Sequence, residues 1–246
     1  MRYLIISDIH GNWEALDAVL RHCHAEYDEV LCCGDLVGYG ADPNRVVDWV
    51  REHASAVVRG NHDKACSGLD DLEWFNPIAR AAAEWTGRSL TTENLQYLRD
   101  LPKGPLAVES FQILHGSPLD EDDYLVSAFA VAEIRRSLET QVSLFGHTHL
   151  QGGFLCHRNG VMRLAKPRPS DDREVVQLDP DAWYLINPGS VGQPRDGDPR
   201  AACLIYDRDA RLIEYRRTIY DVSLAQEKIR AAGLPEMLAS RLATGK

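Results

Sequence analysis

The first third of the chain alternates short apolar runs with amphipathic stretches. Tyr3 to Ile6 predicts a buried strand, and the apolar residues from Trp13 to Cys23 recur at helical spacing. Asp28 to Cys33 and Ala54 to Val58 predict two further strands, separated by a helix from Pro43 to Arg51. Each strand leads into a turn that contains Gly or Asp. This alternation is typical of a layered α/β protein.

The middle of the chain has a helical pattern, and the second half is mostly strand. Cys66 to Leu101 predicts a helical insertion or cap, and Ala128 to Leu138 predicts another helix. Val222 to Ala243 predicts a polar helical tail, within residues 222–246, that is interrupted at Gly233. Apolar runs separated by turn residues predict seven more strands: Leu106–Val108, Phe111–Leu114, Val142–Phe145, Gly153–Cys156, Trp183–Ile186, Ala202–Tyr206 and Leu212–Tyr215.

Length and composition favour a single domain that spans residues 1–246. A chain of 246 residues with 44% hydrophobic content can bury a sizeable core without disulfides. Its six cysteines form no C-x-x-C pair, which indicates reduced thiols. The proline-rich loop from Lys166 to Asp172 is too short for an interdomain linker. The apolar run at Tyr3 is too short for a signal peptide or a membrane span, so we expect a cytoplasmic protein.

The charge of the chain narrows the classes of partner. With 27 basic and 37 acidic residues, the net charge is −10. Such a protein repels duplex DNA and anionic lipid surfaces, and neither is expected as a partner. A small phosphate-containing substrate remains compatible, because bound divalent cations can make a pocket locally positive inside an acidic protein.

Side chains that can bind metal follow three successive predicted strands. Asp8 and His10 follow the first strand, Asp35 follows the second, and Asn61-His62-Asp63 follows the third. Residues i and i+2 of an extended segment point the same way, so Asp8 and His10 could share a metal. Taken alone, Asp8 with His10, and Asp35, are each better explained by turn chemistry. Their common placement at the carboxyl ends of strands predicts one site.

Two later strands end in the same way. Phe111–Leu114 leads into His115, and Val142–Phe145 leads into His147 and His149, which again have the i, i+2 spacing. The four other histidines lie in helix or hairpin contexts and are expected on the solvated surface: His22, His24, His53 and His157.

The ordered motifs D-x-H, G-D, G-N-H-D, H and G-H-x-H resemble those of the calcineurin-like metallophosphoesterase superfamily, within it the small bacterial and archaeal phosphodiesterase branch. The resemblance runs from Asp8 to about Ala202, and the motifs are highly specific as an ordered set. It implies an α/β fold, a four-layer α-β-β-α sandwich of two mixed sheets flanked by helices, with a two-metal site at the strand ends.

The resemblance also implies how two divalent ions would be held. Asp35 would bridge the ions, and the remaining ligands would divide into two sets: Asp8, His10 and His149 for one ion, and Asn61, His115 and His147 for the other. Imidazole with carboxylate and amide oxygen suits Mn, Fe or Zn. Two ions about 3.5–4 Å apart can polarise a phosphoryl oxygen and supply hydroxide for in-line attack.

The same resemblance implies roles for residues that are not metal ligands. His62 is similar to the family's catalytic histidine, which acts at the leaving oxygen, and Asp63 could orient it. A structural role for His62 remains open. The loop from Ile186 to Arg195 is similar to one that faces the metal site, which indicates substrate-binding roles for Asn187, Gly189, Ser190 and Arg195. A tight connection between strands explains its glycines and prolines equally well.

The chain departs from the superfamily's Ser/Thr protein phosphatases at one position. Those proteins carry G-D-x-V-D-R-G, whose arginine grips a monoester phosphate, whereas Gly38-Tyr39 stands here in place of Asp-Arg. This favours a phosphodiesterase that acts on small diesters or nucleotides.

Three alternatives remain open. Because Arg59 matches the phosphatase motif R-G-N-H, one alternative is a phosphomonoesterase or protein phosphatase, unless Arg59 only forms a structural ion pair. A dinucleoside-polyphosphate hydrolase is the second. The third is a catalytically silent protein-binding scaffold, such as the superfamily's retromer subunit.

Overall fold

The computed structural model describes residues 1–73, 75–164 and 171–246, so most of the predicted proline-rich loop at 166–172 lies outside the described residues. Within that part of the chain, twelve strands form two six-stranded mixed sheets. The sheets pack face to face, and helices cover their outer faces. The predicted four-layer α-β-β-α sandwich is therefore confirmed.

The first sheet places three strand ends on one edge. Its spatial order is β3 (Ala54–Val57), β2 (Glu29–Cys32), β1 (Arg2–Ile6), β11 (Ala201–Asp207), β12 (Leu212–Thr218) and β9 (Arg173–Gln177). β1, β2 and β3 are parallel neighbours, whereas β11, β12 and β9 continue the sheet in antiparallel pairs. The carboxyl ends of β1, β2 and β3 consequently open at the same edge.

The second sheet contributes two more strand ends. Its spatial order is β4 (Leu106–Val108), β5 (Phe111–Ile113), β6 (Val142–Leu144), β10 (Trp183–Asn187), β7 (Gly152–His157) and β8 (Gly160–Arg163). β5, β6 and β10 run parallel, so β5 and β6 end side by side.

Alternating side chains explain why the sheets stack. In β1, Tyr3 and Ile5 face the second sheet, while Leu4 and Ile6 face the helices. The helical layer on the first sheet contains α1 (Trp13–His22), α2 (Pro43–His53), α3 (Asn61–Cys66), α4 (Pro77–Ser89), α5 (Thr92–Asp100), α7 (Val222–Ala231) and α8 (Glu236–Ser240). The second sheet is covered by α6 (Ala128–Ile134). Apolar area on both faces of each sheet is thereby removed from water.

Several elements differ from the sequence-based prediction. Cys66–Leu101 is not continuously helical, because the described residues 67–73 and 75–76, between α3 and α4, are not helical. The short strands β8 and β9 were not predicted, because their half-exposed residues give a weak apolar signal. The tail is helical, as predicted, but it is not a solvated appendage: Ile229, Leu238 and Leu242 are buried in the core that α1 and α2 share.

The described residues contain no helix with the length and apolar content needed to cross a bilayer.

Candidate metal centre

The predicted metal ligands meet where strand ends of both sheets converge. Asp8 and His10 follow β1, Asp35 follows β2, and Asn61 opens α3 after β3. From the second sheet, the ligands are His115 after β5 and His147 with His149 after β6. Asn61 is half-buried, whereas the other six residues are at most 3% exposed. The structure therefore brings all seven together.

The side chains form two groups that share Asp35. The ligand atoms of each group lie within 4.8 Å of one another, and the groups are Asp8, His10, Asp35 and His149, and Asp35, His115 and His147. Asn61 joins the second group, since its Oδ1 lies 3.2 Å from Nε2 of His115. This is the division that the motifs imply.

Backbone carbonyls fix the tautomer of every imidazole in the two groups. The outward nitrogen of each ring donates to one carbonyl oxygen: His10 Nδ1 to Val37 (3.0 Å), His115 Nδ1 to Cys33 (2.8 Å), His149 Nδ1 to Gln193 (2.5 Å) and His147 Nε2 to Asp122 (3.1 Å). A carbonyl oxygen only accepts, so that nitrogen carries the proton. The inward nitrogen of the neutral ring then presents a lone pair.

Once the protons held by His115 and Asp8 are removed, the inward atoms are acceptors that face acceptors. His10 Nε2 lies 3.1 Å from His149 Nε2, and His115 Nε2 lies 3.1 Å from His147 Nδ1. One carboxylate oxygen each of Asp8 and Asp35 is buried with no hydrogen-bond partner in the described part of the chain. Buried acceptors without donors are unfavourable unless a cation lies between them. The donor set of the cluster therefore fits divalent metal ions.

The acid–base properties of the metal-free cluster reflect the same need for positive charge. Burial, together with the charge of Asp35, raises the pKa of Asp8 to about 7. Burial also lowers the pKa of His10 and His149 well below the usual value, and that of His147 to about 3. For His115, burial is outweighed by Asp35, which raises the pKa to about 10. A bound metal would displace the protons that Asp8 and His115 hold.

A left-handed backbone conformation at five of the ligands directs their side chains toward the two groups. Asp8, His10, Asp35, His147 and His149 have φ between 50° and 66°, a region that residues other than glycine rarely occupy. The D-x-H and H-x-H pairs thus converge, but the extended geometry assumed from their i, i+2 spacing is wrong. Hydrogen bonds between the loops hold the strained conformations, among them His10 N to the Asp35 carbonyl (3.0 Å) and His147 N to Asp8 Oδ1 (3.1 Å).

His62 lies beside the cluster and belongs to neither group. Its ring packs against the rings of Tyr39, Phe75 and His10, with centroids 4.4–4.9 Å apart. Nδ1 is buried and has no hydrogen-bond partner. Burial, which outweighs the opposing charge of Asp35, lowers the pKa of His62 to about 4. The ring is therefore neutral at pH 7.

Asp63 does not orient His62, contrary to the prediction. Its carboxylate accepts hydrogen bonds from four backbone amides, those of Gly60, Asp35, Leu36 and Val37, at 2.8–3.2 Å. Both oxygens are used in this way, and the side chain is fully buried. Asp63 is thus a positioning residue that fastens the start of α3 to the loop that carries Asp35.

Three residues predicted to bind substrate are instead used inside the protein. Asn187 donates to the Gly146 carbonyl (2.7 Å) and accepts from the Gly189 amide (2.8 Å). Ser190 Oγ donates to the Asp8 carbonyl (2.7 Å). All three lie behind the ligand loops, with Asn187 and Ser190 at most 1% exposed. The fourth predicted substrate-binding residue, Arg195, lies beside the cleft, where its Nη2 is 3.4 Å from the hydroxyl of the cleft residue Tyr39.

A cleft of about 390 Å³ opens onto the cluster. Its lining includes Asn61, His62 and His147 from the site and three aromatic side chains, Tyr39, Phe75 and Tyr124. Asp70, Phe75, Asn76 and Ala79 form one wall, so the segment predicted as a cap borders the site. The aromatic residues were not predicted, because isolated aromatics in loops carry no motif.

The remaining histidines and Arg59 lie away from the two metal groups. His22, His24 and His53 are exposed, as predicted, whereas His157 is half-buried. Arg59 forms a two-pronged ion pair with the buried carboxylate of Glu121, with contacts of 2.9 and 3.3 Å. Its guanidinium is therefore committed to a structural ion pair.

Comparisons with known proteins agree with the site. Residues 1–210 match the family model described as the calcineurin-like phosphoesterase superfamily domain. An uncharacterized protein of Methanocaldococcus jannaschii is 36% identical over 257 residues, which cover 98% of this chain and 97% of that protein.

Two solved structures have the same architecture. A metallophosphoesterase from Sphaerobacter thermophilus superimposes with a TM-score of 0.87 at 39% identity, covering 100% of this chain and 99% of that one. A hypothetical protein from Pyrococcus horikoshii OT3 gives a TM-score of 0.79 at 19% identity, covering 100% and 98% of the two chains. The second likeness concerns the fold alone.

Proposed function

Since the chain belongs to the calcineurin-like phosphoesterase superfamily, we propose that it is a phosphodiesterase that works with two divalent metal ions. The observation that carries the proposal is the convergence of four imidazole lone pairs and two unpartnered carboxylate oxygens. Among the described residues, only the protons that His115 and Asp8 hold compete for those buried acceptors, and a pair of cations would replace them. Mn, Zn and Fe all suit this set of ligands.

Each group would hold one ion, with Asp35 common to both. When bound, two such ions supply Lewis-acid activation of a phosphoryl group and hydroxide for in-line attack. The carbonyl partners of the four rings keep the lone pairs directed inward, and the amides bound to Asp63 hold the Asp35 loop. Loops fixed in this way keep the reacting groups aligned without reorganisation.

His62 is placed to act on the leaving group. Its Nδ1 edge lies against Gly38, where an added Cβ would come within 2.6 Å of that nitrogen. The opposite edge of the ring is the one available to the cleft, which His62 lines. A neutral imidazole there donates a hydrogen bond to the departing oxygen and stabilises the charge that develops on it.

The surroundings of Tyr39 support a preference for diesters. Tyr39 stands where the protein phosphatases carry the arginine that grips a dianionic monoester, and its ring packs on His10 and His62. Arg59 cannot replace that arginine, because Glu121 occupies it. A diester phosphate carries one charge less and needs fewer cationic partners.

The test is a metal-activated substrate comparison on purified protein. The proposal predicts hydrolysis of bis(p-nitrophenyl) phosphate that requires Mn²⁺ or a similar ion, and slower hydrolysis of p-nitrophenyl phosphate and of a phosphopeptide. Faster cleavage of the monoesters would favour the phosphomonoesterase alternative. Metal-loaded protein that is inert on all three would favour the scaffold alternative.

A further inference from the structure

Aromatic side chains from three separate loops line the cleft at the metal centre. Tyr39 lies between β2 and α2, Phe75 between α3 and α4, and Tyr124 between β5 and α6. The ring centroid of Tyr124 lies 3.9 Å from that of His147. The centroids of Tyr39 and Phe75 lie 4.4 and 4.9 Å from that of His62. The aromatic surface therefore adjoins both a histidine of the metal groups and the histidine proposed to act on the leaving group.

Two of these rings leave apolar area uncovered in the cleft. Tyr124 is 55% exposed, and Phe75 is half-buried against the helical layer. The cleft measures about 390 Å³, which lies within the range of roughly 300–1,000 Å³ for small-molecule sites. A flat group that stacks on an open aromatic ring removes apolar area of both partners from water. The cleft therefore suits a planar ligand.

The charged side chains that line the cleft are carboxylates. Asp70 and Asp122 belong to the lining, whereas no lysine or arginine is among the described residues that form it. Nζ of Lys64 lies 3.3 Å from Asp70 and 2.7 Å from Asp122, so one lysine offsets two carboxylates. Arg195 contacts the hydroxyl of Tyr39 but lies outside this lining. The lining therefore favours an uncharged group with hydrogen-bond donors over a second phosphate.

Asn76 supplies a donor on the same wall as Asp70. Its Oδ1 accepts from the amides of Ile78 (3.1 Å) and Ala79 (3.0 Å), which makes it the N-cap of α4. The NH2 group is consequently the part of the side chain that can bond to a ligand. A ligand that meets this amide and the carboxylates must carry both acceptors and donors along its edge.

We propose that the cleft binds the base of a nucleoside that is esterified to the phosphate, and that Phe75 and Tyr124 select this substituent by stacking. This rests on the proposed function and deepens it, since the substrate class is then a diester with a nucleoside substituent. A nucleobase is flat and uncharged near neutral pH, and it carries donors and acceptors along its edge. Carboxylates accept from exocyclic amino groups, so Asp70 and Asp122 favour a base that has one.

A kinetic comparison tests whether the rings select the substrate. The dinucleotide ApA and glycerophosphoglycerol are both diesters of alcohols, and only ApA carries bases. For Phe75→Leu and for Tyr124→Leu, we expect kcat/KM for ApA to fall about tenfold more than kcat/KM for glycerophosphoglycerol, mainly through KM. Tyr124→Phe keeps the ring and should keep the ratio. The matched control is Phe129→Leu, which removes a 74% exposed ring outside the cleft. Equal losses on both substrates in the two cleft variants would overturn the inference.

A binding measurement separates this inference from the proposed function. Adenosine, which has no phosphate, is titrated into chelated wild-type protein and into Tyr124→Leu, and binding is followed by NMR. We expect affinity about tenfold weaker in the variant, and the exposure of Tyr124 means that its replacement should leave the fold intact.

Two outcomes of this titration would overturn the inference even if the enzyme hydrolyses diesters. One is equal affinity of wild type and variant for adenosine, and the other is binding of benzyl alcohol as tight as that of adenosine. Weaker adenosine binding in the variant would support the inference even if the metal-loaded protein were inert on both diesters. That combination would contradict only the proposed function.

Discussion

At the scale of single residues, the site is defined by the direction of its imidazole hydrogen bonds. Each imidazole of the two metal groups donates a hydrogen bond to a backbone carbonyl, and the second ring nitrogens converge with the carboxylates of Asp8 and Asp35. Neither the hydrogen-bond partner of a ring nor its tautomer can be inferred from a motif, because both depend on loops distant in the chain. The motifs predicted which residues meet, and the structure shows why they need a cation.

His62 supplies the first prediction at this scale. Replacing His62 with Ala should lower kcat on bis(p-nitrophenyl) phosphate by about 10²–10⁴-fold, the usual contribution of a positioned acid–base group. The content of bound metal should stay the same, because the ring belongs to neither metal group. The test measures kcat and the metal content per chain on the same preparation of wild type and variant. Loss of metal in the variant would instead make His62 a ligand or a support of one.

The pH dependence of metal binding is the second prediction. A metal binds only deprotonated ligands, and in the metal-free cluster His115 holds a proton below pH of about 10 and Asp8 below about 7. Rising pH removes these competing protons, so affinity for Mn²⁺ should rise about tenfold per pH unit between pH 7 and 8, and more steeply between pH 6 and 7.

Calorimetric titrations in buffers of different ionisation enthalpy measure both affinity and released protons. About two protons should be released per chain at pH 6 and about one at pH 8. Affinity that is constant or falls with rising pH would show that the cluster is not protonated as described.

At the scale of elements, the site depends on loops that pass very close to one another. Gly60 precedes α3, and an added Cβ there would lie 2.1 Å from Asp35 Oδ1. Gly192 also has no room for a side chain, since an added Cβ would lie 1.8 Å from the Ile9 carbonyl oxygen. These glycines are required by space rather than by backbone conformation, because neither has a positive φ.

Gly60→Ala tests this close approach. The added methyl group must displace the Asp35 side chain, so affinity for metal should fall at least about tenfold, with a loss of about 1–3 kcal/mol in the free energy of unfolding. Gly160→Ala is the control, since an added Cβ there meets nothing within 4 Å and only strains the backbone. Metal titration and urea unfolding of both variants give the comparison. Unchanged metal binding in Gly60→Ala would contradict the described packing.

Elements with a strong apolar pattern could be predicted from the sequence, and those without one could not. β1, β2 and β3 are predicted by continuous apolar runs that end in polar turns. α3 was missed, because its six residues begin with the G-N-H-D motif and have no helical periodicity of their own. The left-handed backbone of Asp8 and His147 was also missed, since tertiary hydrogen bonds rather than local preference impose it.

At the scale of the whole molecule, the net charge is −10, whereas the guanidinium of Arg195 lies beside Tyr39 of the cleft. Bound cations would add further positive charge there. The contact between Gln193 and Arg241 could not be predicted, because these residues lie 48 positions apart and meet only when the tail folds onto the core. A cytoplasmic location and small nucleotide-like substrates remain predictions.

The central claim is that two bound divalent ions are required for diester hydrolysis. The most direct test measures metal per chain by mass spectrometry together with activity on bis(p-nitrophenyl) phosphate, before chelation, after chelation and after Mn²⁺ is restored. We predict that chelation abolishes activity and that activity returns as the second ion binds. Full activity in chelated protein, or a metal-loaded protein that leaves the diester intact, would contradict the account.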